Sequence, residues 1–183
     1  MIKQGMMAII LAISGGAWAA QVPVCLDAQG NPLSVNNAQV LAWKASTPDR
    51  YRNRAHILGV ITRIYRDATG HHHWEVQLSN VSRGTVEVIY DEKFGPVPQA
   101  QIGMTVEACG DYITSPQGGS WPSPDGAIVH WIHISDTSRH PSGYLILNGQ
   151  LCGQNLPYGQ NNHHGYTVRH GYLRHDGHQF YHQ

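Results

Sequence analysis

Residues 71–93 read HHHWEVQLSNVSRGTVEVIYDEK, and the alternation within them decides the fold class. On an extended chain Trp74, Val76 and Leu78 fall on one side, and Glu75 and Gln77 fall on the other. Ser82-Arg83-Gly84 makes a turn. The alternation then resumes, with Val86, Val88 and Tyr90 sharing a face. Two period-two runs joined by a glycine-bearing turn predict a hairpin. A helix would repeat its apolar residues every three or four positions.

The neighbouring segments extend this pattern. HILGVITRIYRD (56–67) carries Ile57, Gly59 and Ile61 in step and Ile64 out of step, which predicts a long strand with a bulge. A glycine inside that strand suits sharp curvature. Ala68-Thr69-Gly70 turns the chain into the hairpin. FGPVPQAQIG (94–103) is a crossing loop. MTVEACGDYITS (104–115) is a fourth strand with Val106, Ala108 and Tyr112 inward, and its Gly110 marks a bulge or a close backbone approach. SPQGGSWPSPDG (115–126) is a long polar loop, and AIVHWIHIS (127–135) reads as a fifth strand. The class is therefore all-β, a small five-stranded OB-like barrel, with an SH3-like barrel or a small sandwich as alternatives. Before the barrel, Asn36 or Asn37 caps a short helix over NAQVLAWKA, with Val40, Leu41 and Trp43 apolar.

The chain of 183 residues opens MIKQGMMAIILAISGGAWAA. Lys3, the short apolar run and Ala17-Trp18-Ala19 predict a signal peptide over 1–19, cleaved near Ala19. The run is too short for a stable membrane anchor. The protein is expected in the periplasm or secreted. An arm and the short helix occupy 20–54, the barrel 55–157, and a His/Gly/Asn-rich tail 158–183, which reads as weakly ordered or as two short edge strands. Loss of Lys3 leaves eleven basic against twelve acidic groups, so no strongly basic face is indicated. All 13 histidines lie beyond the leader. Cys25, Cys109 and Cys152 predict one disulfide and one leftover thiol in an oxidising compartment. Of the three pairings, Cys109–Cys152 is preferred because both lie in the barrel segment. There is no C-x-x-C motif.

The chemistry concentrates in AIVHWIHISDTSRHPSGYLILNG (127–149). A regular strand would place His130 with Ile132 and Ile134, and His133 on the opposite face with Val129 and Trp131. Only residues at or past the strand end escape that split. His133, Asp136 and His140 are therefore the candidate catalytic pocket, with Pro141 and Gly143 shaping its wall. Asp136 would orient a histidine as general base or bind a cation. His130, His71 and His73 join these three as candidate ligands for Zn or another divalent transition metal. Six tail histidines after residue 162 predict loose binding of the same ions. The motifs G-x-S-x-G, H-E-x-x-H and a glycine-rich phosphate loop are absent. Trp121, Trp131 and Tyr144 are candidate ligand-binding aromatics. Arg50, Arg52, Arg54, Arg63 and Arg66 add local positive charge.

GVITRIYRDATGHHHWEVQLSN, the FGPVP loop and VHWIHISDTSRHPSGYLILNG together resemble a bacterial family of small exported proteins, domain of unknown function 3465. The resemblance spans roughly residues 39–150. Its most specific part is HW-x-H…HP-x-G, here His130, Trp131, His133, His140, Pro141 and Gly143, followed by the aromatic Tyr144. The family pattern has a second histidine where this chain has Ile134. The resemblance implies a shared polar site, not a chemistry. Two function classes are left. One is an exported binding module for an unknown soluble ligand, with nucleic acid or an anionic glycan as the polymer classes considered. The other is a metal-dependent hydrolase of phosphodiesters using His133, Asp136 and His140.

Overall fold

A computed structural model describes residues 21–67, 69–137 and 140–157, and the backbone of 166–169 and 172–175. The predicted leader lies outside the described residues, as does most of the tail.

The curved strand β1 (Arg52–Ile64) starts the barrel, inside the stretch assigned to the arm. Strands β2 (His71–Gln77) and β3 (Thr85–Asp91) form the expected hairpin in continuous register, Trp74 opposite Val88. A 3-10 turn, Glu92–Phe94, opens the crossing loop. Then come β4 (Thr105–Thr114) and β5 (Ala127–His130). The order β1-β2-β3-β5-β4 closes by pairing β4 back to β1, with β3 and β5 parallel. That is a five-stranded mixed barrel of OB type. Closure leaves no free edge among these strands.

The bulge falls between Ile61 and Arg63, and Gly59 faces the hairpin so closely that a Cβ would lie 2.4 Å from the Gln77 carbonyl. Inward residues such as Ile57, Trp74, Val88, Tyr112 and Val129 are fully buried and form one core. Helix α1 (Asn37–Ser46) adds Val40 to it. Asn36 precedes the helix, but its side chain serves β1 instead, accepting from the His56 amide at 2.9 Å. Among the described residues no helix is long and apolar enough to cross a membrane.

Two further strands lie beyond β5, β6 (Tyr144–Leu147) and β7 (Gln150–Cys152). They extend the sheet from β4. Asn148-Gly149, both at positive φ, makes the tight turn between them. An apolar run interrupted by Asn-Gly is a strong hairpin signal, and it lies beyond the five strands expected of the barrel. In the tail, β8 (Tyr166–Arg169) pairs antiparallel with β9 (Tyr172–His175) in a separate sheet.

The disulfide corrects an expectation. Cys109 bonds Cys25, and Cys152 is a buried free thiol. The reason is face parity. Cys109 points outward from β4 into a small cluster with Cys25 and Tyr144, whereas Cys152 faces the main core. The bridge therefore staples the N-terminal arm to the barrel.

Candidate functional site

The candidate residues occupy the barrel's outer face and one loop. Strand β4 offers a single edge to two partners. Asp111 pairs with His130 of β5, and Cys109 pairs with Tyr144 of β6. Residues 131–143 leave this lane and return to it, with only Gly110 opposite the neck. Side chains do not fit there. A Cβ on Gly110 would lie 2.3 Å from the His130 carbonyl, and one on Gly143 would lie 2.2 Å from the Cys109 carbonyl. The expected fifth strand therefore ends at His130. Trp131 breaks it with φ of 51°, a left-handed conformation that a bulky residue adopts only under surrounding constraint. That reversal shifts the parity of the next few residues, and Ile132 and Ile134 turn into the core.

The loop does not gather His133, Asp136 and His140 around one point. His133 is 4 % exposed and lies flat on the Phe94 ring, 3.5 Å away at 10°. Its Nδ1–H donates to the Ile134 carbonyl at 2.7 Å. Burial pushes its pKa down, so the ring is neutral near pH 7. Asp136 lies 3.8 Å from the Lys93 ammonium. His140 turns to β4, where its Nδ1 meets Asp111 Oδ2 at 2.8 Å. The three have separate partners because the loop is pinned at several points along its length.

Asp111 is the carboxylate that the sequence reading missed. Its second oxygen accepts from Arg54 at 2.7 Å. Arg54 is nearly buried and also donates to the Leu26 carbonyl of the arm and the Ser142 carbonyl of the loop. One guanidinium thus ties arm, barrel and loop together. The available signal was parity: outward-facing Asp111 sits across from outward-facing Arg54 only once β1 is paired to β4.

Aromatic and imidazole rings run across the outer face. His73 stands 6.5 Å from His71, His71 5.9 Å from His130, and His130 4.5 Å from Trp131. His140 stacks on Trp131 at 3.9 Å. His73 Nδ1 is held by Glu87 at 2.7 Å. His130 is set apart from the others. Its Nε2 is buried with no hydrogen-bond partner among the described residues, and burial, with neighbouring imidazoles, pushes its pKa down to about 4. Among the described residues no three His, Cys, Asp or Glu side chains stand in a ready-made metal-binding arrangement. The expected set is therefore split: His71, His73 and His130 are neighbours on the outer face, whereas His133, Asp136 and His140 keep other partners.

Trp121 is 55 % exposed, and the Arg50 guanidinium lies 5.3 Å from its ring. Its loop is anchored at several points. Asp49 accepts from the Ser120 amide at 3.1 Å, and Ser115 Oγ donates to the Trp121 carbonyl. Asp125 ties the loop's far end to Tyr65 at 2.8 Å and Thr85 at 2.7 Å. Arg52 lies 5.8 Å from the Trp131 ring. Tyr144 does not join these aromatics at the surface. It is 2 % exposed, with its hydroxyl between His56 and Glu107.

The fold and this surface define a small OB-type barrel that presents paired arginines and tryptophans beside a polar His/Asp network. No family model, curated protein or solved structure matches the chain.

Proposed function

We propose that the chain is an exported binding module that grips an anionic, ring-bearing polymer, single-stranded nucleic acid foremost. The carrying observation is the doubled Arg–Trp pair, Arg50 over Trp121 and Arg52 over Trp131, at the start of β1. The exposed Trp121 indole offers a face on which bases of any sequence stack, Trp131 being already stacked on His140, and the guanidinium groups neutralise phosphates. Both arginines are exposed, so a polymer reaches them without unfolding anything. The Cys25–Cys109 bridge favours export, since disulfides persist in oxidising compartments. Membership in the exported family that the His130–Tyr144 pattern resembles belongs to the same proposal. The hydrolase reading gains no support from side chains that keep separate partners.

Fluorescence titration with a short oligothymidylate, and with heparin as the glycan probe, tests this reading. Near physiological salt, Arg50→Ala/Arg52→Ala should weaken oligothymidylate binding about tenfold or more and flatten its salt dependence. Trp121→Ala should cost about 1–3 kcal/mol. Equal binding by these variants, or none by the wild type, overturns the reading. Preference for heparin would exchange nucleic acid for glycan as the polymer.

A further inference from the structure

We propose that His71, His130 and Asp91 bind a divalent transition-metal ion on the outer face of the barrel, with His73 alongside as a fourth ligand. Three observations converge on this site. The His130 Nε2 atom is buried and has no partner among the described residues, which is costly for a polar nitrogen unless a further group satisfies it. Its ring is next to that of His71, 5.9 Å between centroids. His71 Nε2 and Asp91 Oδ2 are 3.7 Å apart. That is too long for a good hydrogen bond. It is close to the roughly 3.3–3.6 Å that separates two ligands of a tetrahedral ion with bonds of about 2.0–2.2 Å.

The surroundings suit the chemistry. Glu87 holds His73 through Nδ1, leaving Nε2 to face an ion, as an outer carboxylate does for a ligating imidazole. Two or three imidazoles and one carboxylate favour Zn, Cu or Ni over Mg or Ca. The groups are neighbours but have not converged, so the ion completes the arrangement by small ring rotations. One competing charge is present: Lys93 Nζ lies 3.2 Å from Asp91 Oδ2. Its side chain is half exposed and swings away readily.

The full chain, titrated with Zn2+ and then Cu2+, tests the site. The six histidines after residue 162 offer the same ions further imidazoles, so total uptake is not the readout. Two local readouts serve: the side-chain nitrogen resonances of His71 and His130, followed with Zn2+, and the melting temperature. One equivalent of Zn2+ should perturb both rings, and excess Zn2+ or Cu2+ should raise the melting temperature by about 5 °C or more. His71→Ala and Asp91→Asn, both at partly exposed positions, should abolish that rise, and Lys93→Ala should increase apparent affinity severalfold. Unmoved His71 and His130 nitrogens, or a thermal shift that survives in both the His71 and Asp91 variants, would overturn the proposal.

Discussion

Burying an imidazole against a benzene ring ties stability to pH. His133 lies on Phe94 with its pKa held down, chiefly by burial, while Asp91 and Asp136 pull upward too weakly to restore it. The unfolded chain takes up a proton near pH 6.5 and the folded chain resists it. Stability is therefore full above about pH 6.5 and falls as acid drives the pH down through the folded-state value. The wild type should unfold at lower denaturant concentration at pH 5 than at pH 7, and His133→Phe should shrink that difference. An unchanged pH slope in the variant would mean that His133 titrates freely. The sequence identified His133 as unusual but placed it in a polar pocket. Its true partner, Phe94, lies in the crossing loop some forty residues earlier, and no local pattern signals that contact.

At the scale of elements, regular alternation was legible and its interruption was not. β2, β3 and β4 alternate without a break, so Trp74, Val88 and Tyr112 were assignable to the core. AIVHWIHIS is rich in β-branched and aromatic residues through Ile134, with no turn residue to break it, so it reads as one strand. Yet Trp131 reverses the parity by φ alone, which side-chain periodicity does not record. Gly110 was legible as a close approach, but not what it approaches. The neck of loop 131–143 explains it and gives a prediction. Gly110→Ala places a methyl against the His130 carbonyl and Ile132 Cγ2, inside a closed ladder with little room to give. A loss of about 1–3 kcal/mol is expected, typical of overpacking. Gly118→Ala, with nothing within 4 Å, should be nearly neutral. Urea unfolding of the two variants separates a sterically closed neck from a merely flexible one.

For the molecule as a whole, the N-terminal arm is what the disulfide adds. Cys25 and Cys109 are 84 residues apart in sequence, so the bridge closes a long loop and removes much freedom from the unfolded chain. Besides the bridge, the arm reaches the barrel through the Leu26 carbonyl on Arg54, the Leu33 carbonyl on His56 Nδ1 at 2.7 Å and the Asn36 amide on the His56 carbonyl at 2.8 Å, while the Leu33 amide on the Cys25 carbonyl at 2.8 Å closes the arm's own turn. The barrel closes through β1 and β4 without it. Cys25→Ala should therefore lower stability by about 2–5 kcal/mol while the barrel's circular-dichroism signature persists. Thiol labelling of the denatured wild type should block Cys152 alone. In the variant, native-state hydrogen exchange should accelerate at the Leu33 amide well before it does at β4 amides such as Thr114, which bonds the Tyr51 carbonyl at 2.9 Å. A variant with an unchanged denaturation midpoint would show that Arg54 and His56 seat the arm unaided. Simultaneous acceleration of arm and β4 would show instead that the arm belongs to the barrel's own cooperative unit.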